Sequence, residues 1–306
     1  MTIIPIKKVK KIHIIINPAA GRIEPILPII NLAMNEAKID WDVFVTKKKH
    51  DPFLFAQEAV KRNVDAVAVY GGDGTVMEAM SALLGSEIPL AILPGGTANV
   101  LATELKVPKD LKEACGLICH QNPQAKIIDV GKMNKQYFIL RLGLGFEAEM
   151  MKQADRKIKN RFGRLAYVIS SAKALKKIQE VQYELIIDGK KYTEKGVTCI
   201  VANSGNIGYS DLSLHNQIDV SDGLLDVVIV RRAHIGLLAY VIKHVFAKQP
   251  ADHMELVQHW QGKDIQVSAS PEQVVQCDGE PLEKIPVHAQ VVPGAVRILV
   301  PAEKPE

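Results

Sequence analysis

The sequence predicts an α/β domain built on a parallel sheet, followed by a second, β-rich domain. Three observations carry that expectation. Strand-like and helix-like segments alternate through the first 130 residues, the order that builds a parallel sheet covered by helices. Two glycine-rich strand-to-helix turns fall at the same end of that sheet. After Asp129 the texture changes to short β-type runs.

The elements follow in order. Lys11 to Ile16 reads as the first strand, punctuated by Asn17, Pro18 and Gly21. Pro25 to Lys38 then carries Ile26, Ile29, Ile30, Ala33 and Ala37 near helical spacing. Trp41 to Thr46 is the second strand. Asp51-Pro52 opens a helix to about Asn63, with an oxygen to cap and a ring that needs no N–H. Asp65 to Tyr70 is the third strand, and Gly71-Gly72-Asp73-Gly74-Thr75 opens a helix to about Leu84. Pro89 to Leu93 is the fourth strand, and Pro94-Gly95-Gly96-Thr97 opens another helix. In the second half, strands are expected at Gln136 to Leu142, Gln182 to Ile187, Thr198 to Ala202, Leu225 to Val230 and Asp264 to Val267. Met150 to Ile178 reads as helical and carries nine Lys or Arg residues against one acid, Asp155.

Composition bounds the function. With 306 residues, 47% hydrophobic and 24% charged, the chain excludes disordered, collagenous and small disulfide-stapled classes. A net charge of +4 falls short of a dedicated nucleic-acid binder. No run of eighteen uncharged apolar residues occurs, so no membrane span is expected. The N-terminal order, an apolar patch followed by Lys7, Lys8, Lys10 and Lys11, is the reverse of a secretory signal and places the protein in the cytoplasm. Cys115, Cys119, Cys199 and Cys277 are too sparse for a disulfide framework and suit a reducing compartment.

The chemistry concentrates in the two glycine turns. Glycines without Cβ let main-chain N–H groups approach a ligand, and the helix that follows presents its positive dipole end, which together make a phosphate cradle. Asp73 would repel a bare phosphate, so it points to a metal-bound nucleotide. The second turn repeats the device with the Thr97 hydroxyl and the Asn99 amide. Each Gly-Lys pair (131, 189, 262) lacks the Ser or Thr of a Walker loop. Gly143 to Ala148 mimics a dinucleotide fingerprint without its downstream acid. Asp219, Asp222 and Asp226 flank a turn glycine and would suit a hard cation, although a polar turn explains them equally. Cys277-Asp278-Gly279-Glu280 is either a hairpin turn or a placed carboxylate that takes a proton from a hydroxyl.

Read in order, Asn17-Pro18-Ala19-Ala20-Gly21, Thr46, Gly71 to Thr75, Pro94 to Asn99, Ile128-Asp129-Val130-Gly131, Asn203-Ser204-Gly205-Asn206, Asp222-Gly223-Leu224-Leu225-Asp226 and Asp278-Gly279-Glu280 resemble the diacylglycerol kinase catalytic-domain family. More narrowly they resemble its soluble bacterial lipid-kinase branch, related to sphingosine and ceramide kinases and more distantly to NAD kinase. The resemblance implies an N-terminal three-layer α/β nucleotide-binding domain over 1–130 and a β-sandwich lipid-substrate domain over 131–294. A closing segment, 295–306, would return to the first domain, and the ATP site would lie in the cleft between the domains.

By the same resemblance ATP is held by Gly71, Gly72, Asp73, Gly74, Thr75, Gly96, Thr97 and Asn99, with Thr46 touching the nucleotide. Mg²⁺ is held by the Asp222 carboxylate and the main-chain oxygens of Asp219 and Leu224, a site that supports structure, while Asp73 and Asp129 organise the catalytic metal. Glu280 accepts the proton of the attacking lipid hydroxyl, with Asp278 as the fallback. The implied partners are a lipid substrate and, transiently, the anionic inner face of the membrane, toward which the basic stretch 152–177 would dock the enzyme. No nucleic acid is implied, and a homodimer is allowed.

The sequence departs from the family at Tyr70, where Gly precedes the loop, at Met77, and at Val100, where an Asp is usual. The alternatives are NAD kinase, which shares the Gly-Gly-Asp-Gly-Thr loop, and a non-catalytic nucleotide or lipid regulator derived from the kinase fold. No counterpart of the NAD kinase Thr-Gly-Ser-Thr-Ala-Tyr segment occurs. Asp73, Asp129, Asp222 and Glu280 together argue against a pure binder.

Overall fold

The computed structural model describes residues 3–21, 24–134, 136–145, 180–206, 217–231, 257–282 and 286–302. The basic stretch 152–177 lies outside them. The chain divides into two compact units, Met1–Val130 with Val220–Asp222 and Val292–Glu306, and Gly131–Asp219 with Gly223–Val291.

The first unit opens with a short strand, β1 (Ile3–Pro5), before the repeating pattern begins with β2 (Lys11–Ile16) and α1 (Ile26–Ala37). It continues through β3 (Asp40–Val45), α2 (Asp51–Lys61), β4 (Ala66–Gly71), α3 (Asp73–Ser81), β5 (Leu90–Pro94), α4 (Val100–Glu104), α5 (Leu111–Cys119) and β6 (Gln124–Met133). Strands β5, β4, β2 and β3 lie side by side in that order, all parallel. Every residue of β4 is buried, as expected of a strand covered on both faces. The chain steps from β2 outward to β3 and then back past β2 to β4. Right-handed crossovers in opposite directions put α1 and α2 on opposite faces. Accordingly α1 packs with α5, and α2 with α3, giving three layers.

The second unit is a β-sandwich. One sheet runs β10 (Lys190–Gly196), β9 (Val181–Ile187), β14 (Asp264–Ser270) and the first residues of β17 (Val287–Val300), all antiparallel. The other runs β13 (Val257–Gly262), β12 (Leu225–Val230), β11 (Thr198–Ala202), β8 (Arg141–Gly145), β15 (Val275–Cys277) and β16 (Glu280–Leu282). Between the sheets, Trp260 meets Tyr192 at 5.7 Å between ring centres. A Cβ on Gly145 would come within 2.6 Å of the Tyr183 hydroxyl, and Gly145 also sits at φ +84°, so no other residue serves there. The last residues of β17 belong to the first unit, where Ile298 pairs with Leu90 of β5 in parallel.

Three local expectations are corrected. The run Gln136 to Leu142 is not one strand but two, β7 (Gln136–Phe138) and β8, because the N–H groups of Ile139, Leu140 and Arg141 leave the ladder and bind the Asp278 carboxylate at 2.8 to 2.9 Å. The helix at the first glycine turn starts at Asp73, so Gly74 and Thr75 belong to its first turn rather than to a loop. The second turn runs on to Asn99, and its helix starts only at Val100 rather than directly after Thr97.

Candidate active site

In an open parallel sheet, ligands bind beyond the carboxyl ends of the strands where the chain reverses direction, here between β2 and β4. The predicted nucleotide residues gather along that edge. Asn17, just past β2, donates its main-chain N–H to the Tyr70 carbonyl at 2.9 Å and its side-chain Nδ2 to Thr75 Oγ1 at 2.9 Å. Thr46, just past β3, is buried and donates its main-chain N–H to the Ile16 carbonyl. The first glycine turn follows β4 and the second follows β5.

The glycines of the two turns have different reasons to be glycine. A Cβ on Gly71 would meet the Thr75 side chain at 2.7 Å, and one on Gly95 the Tyr70 ring at 2.7 Å. A Cβ on Gly96 would lie 2.5 Å from Gly72 Cα, so the two turns touch backbone to backbone. The Gly95 and Gly96 N–H groups both donate to the Gly71 carbonyl, at 3.0 and 3.2 Å. Gly74 differs, because nothing in the protein lies within 4 Å of the Cβ it lacks. A glycine in a helix is unfavourable by roughly 1 kcal/mol against Ala, so its use at an open, exposed position fits a ligand that approaches the main chain there. Thr97 is exposed beside this edge.

Gly74→Ala is therefore expected to leave stability unchanged or raised by about 0.5 kcal/mol while weakening nucleotide binding about tenfold. Gly96→Ala should instead lower stability by roughly 1–3 kcal/mol through overpacking. Thermal melting and nucleotide titration of the two variants side by side check both outcomes.

Asp73 has a role that its sequence context did not reveal. Its Oδ1 accepts the Leu101 N–H at 3.2 Å, so the first residue of α3 caps the N-terminus of α4. Burial pushes the Asp73 carboxyl up, and main-chain N–H groups, Val100 and Leu101 foremost, pull it back. Asn99, held at φ +50°, closes its own turn by accepting the Gly96 N–H at 3.0 Å and donating to the Gly96 carbonyl at 2.8 Å. Two of the family departures are absorbed by packing. Tyr70 is fully buried and donates its hydroxyl to Glu24 at 2.7 Å, and Val100 is buried at the head of α4.

The acidic candidates separate. Asp129 is buried, donates its N–H to the Val220 carbonyl at 2.7 Å and accepts the Gly294 N–H at 2.7 Å. Asp219, Asp222 and Leu224 lie in the turn before β12, where Gly223 takes φ +77°. Asp226 leaves that cluster, since it is buried within β12 with Oδ1 2.6 Å from His259 Nε2. Among the described residues no group of three or more His, Cys, Asp or Glu side chains is placed to hold a metal ion. The turn 219–224 offers the Asp219 and Asp222 carboxylates and main-chain carbonyls, an all-oxygen donor set that suits Mg²⁺.

The hairpin β15–β16 carries the remaining pair. Its turn residues Asp278 and Gly279 both have positive φ, 46° and 86°, as a two-residue hairpin requires. Both Asp278 oxygens accept main-chain N–H groups, and burial pushes its carboxyl up to about 6 against them. Burial, with Asp278 and Glu280 nearby, drives the Cys277 thiol up to about 12, which keeps it protonated and unreactive. Glu280 is exposed, the first residue after the turn. Sequence reasoning had no signal for the Asn17–Thr75 link or the Asp73 cap, because each joins residues more than 25 positions apart.

Comparison with known proteins agrees with this layout. Residues 11–133 match the diacylglycerol kinase catalytic domain, and residues 141–300 match the YegS C-terminal NAD kinase beta sandwich-like domain. The chain is 30% identical to an uncharacterized protein of Synechocystis, over 97% of this chain and 71% of that protein. It is 28% identical to a Staphylococcus aureus protein named "Putative lipid kinase", over 83% of this chain and 85% of that one. The crystal structure of a diacylglycerol kinase from Bacillus anthracis superposes with a TM-score of 0.75 at 26% identity, covering 97% of this chain and 98% of that chain. The two matched domains, in this order and over nearly the whole chain, make the protein a member of the bacterial diacylglycerol kinase-like lipid kinase family.

Proposed function

We propose that the protein transfers the γ-phosphate of ATP, with Mg²⁺, to a hydroxyl of diacylglycerol or a related lipid at an anionic membrane surface. The observation that carries the reading is the open position over Gly74, beside two glycine turns packed backbone to backbone at the strand ends. The phosphates of ATP would lie there, against the N-terminus of α3 and the Thr75 and Thr97 side chains, with Thr46 and Asn99 framing the edge. Glu280 would take the proton of the lipid hydroxyl as it attacks, and positioning with electrostatic stabilisation would supply most of the rate. A bound Mg²⁺ supplies charge neutralisation for the transferring phosphoryl group. Asp73 and Asp129 are the carboxylates proposed to organise that ion, and Asp222, with the carbonyls of Asp219 and Leu224, would hold a separate Mg²⁺ that supports structure.

No helix among the described residues is long and apolar enough to cross a membrane. Docking through the basic stretch 152–177 at the inner membrane face is part of the proposal.

The test is transfer of labelled γ-phosphate from ATP onto diacylglycerol, monoacylglycerol, phosphatidylglycerol, sphingosine, ceramide and NAD, with lipid-phase and aqueous products resolved. Label in a lipid supports the reading. Label in NADP moves the protein to NAD kinase chemistry, and ATP binding without any labelled product makes it a regulator.

A further inference from the structure

Strand β3 ends the parallel sheet, and among the described residues no strand pairs with its outer side. Its main-chain groups divide by alternation. Asp40 and Thr46 donate their N–H groups to the Lys10 and Ile16 carbonyls on the β2 side, so the N–H and C=O groups of Trp41, Val43 and Val45 point outward. The side chains divide as well. Phe44 meets Phe55 of α2 at 5.2 Å between ring centres, so Trp41, Val43 and Val45 lie on the opposite face, the one that α1 covers. That cover is incomplete, for Val43 is 41% and Val45 46% exposed. Leu27 stands in the first turn of α1, at the same end of the sheet as Val45, and is 48% exposed.

An exposed apolar edge strand templates pairing with another chain, and proteins block such edges with Lys, Pro or a bulge. From Asp40 to Val45 there is no Lys and no Pro, and the register with β2 runs without a bulge. The charges instead change sign along the chain. Asp40 and Asp42 lie in the first half of β3, and Lys47, Lys48 and Lys49 lie just past its end, all of them exposed. Asp42 already faces Arg62 at 3.6 Å, which leaves Asp40 as the outward acid. A strand whose charge reverses from end to end repels a parallel copy of itself and complements an antiparallel one.

We propose that β3 pairs antiparallel with β3 of a second copy of this chain, about a two-fold axis at Phe44. This register sets Val43 against Val45 on both sides of the axis, and their outward N–H and C=O groups exchange hydrogen bonds in both directions. It sets Trp41 against Lys47 and Asp40 against Lys48 at each end. The same patch serves both copies, and each copy has one such edge, so the assembly closes at a homodimer. The interface lies within the first unit and does not rest on the lipid-kinase reading, since its test needs no substrate.

The experiment is sedimentation velocity of the full chain, with melting curves, for the wild type, Val43→Lys, Asp40→Lys, Lys48→Asp and an equimolar mixture of the last two. The wild type is expected to sediment as a dimer that weakens with added salt. Val43→Lys puts a charge on the pairing edge and should weaken self-association about tenfold or more. Each charge reversal acts twice by symmetry and should weaken it about tenfold. The mixture should regain wild-type affinity as a heterodimer, because the new lysine of one chain then meets the new aspartate of the other at both ends. A folding defect in either variant would not be repaired by mixing. A monomeric wild type overturns the inference and leaves the edge to a strand of some other protein. A dimer that Val43→Lys leaves intact, or a mixture as weak as its components, places the interface elsewhere and also overturns it. If Val43→Lys does not fold, the mixture of the two exposed charge variants still decides.

Discussion

Replacing Glu280 by Gln is expected to leave ATP binding intact and to lower phosphoryl transfer about 10²-fold or more, since the substitution keeps size and hydrogen bonding but removes the proton acceptor. The site offers little to take over. Asp278, two residues away, has both oxygens committed to the N–H groups of Ile139, Leu140 and Arg141, and those bonds hold the chain between β7 and β8. Glu280 is exposed at the start of a three-residue strand, so the variant should melt with the wild type. Nucleotide titration by calorimetry, beside single-turnover label transfer, separates the two effects. Turnover at the wild-type rate would remove Glu280 from the mechanism.

Asp73→Ala is the second large expected effect, and the structure divides it in two. The substitution removes the cap on α4 and lowers stability by about 1 kcal/mol, the usual cost of losing an N-cap side chain. It also removes a carboxylate beside the phosphate cradle, and transfer should fall to background. Asp73→Asn separates these contributions, because an amide oxygen can still accept the Leu101 N–H. The Asn variant should melt near the wild type and remain inactive. Recovery of transfer in Asp73→Asn would show that capping, not charge, is what the site needs from this residue.

Much of the first unit was legible because its signals are local. The strand Asp65 to Tyr70, the Asp51-Pro52 helix start and the paired glycine turns each read directly from neighbouring residues. What was illegible depends on distant partners. The run Gln136 to Leu142 has the composition of one strand and breaks only because an aspartate about 140 positions later binds its N–H groups. The candidate site shows the same division. Glycine positions were identified from sequence, yet whether each serves packing or a ligand depends on what stands opposite it.

The three N–H bonds to Asp278 bear on how pseudoenzymes in this family would be recognised. A descendant that abandoned catalysis would still need Asp278 to shape the bend before β8, Asp73 to start α4, and Asp129 to fasten Gly294. Selection for folding alone would preserve those acids, so their survival in a genome says little about turnover. Glu280, which the fold leaves exposed, is the acid whose loss would first record the silence of the enzyme.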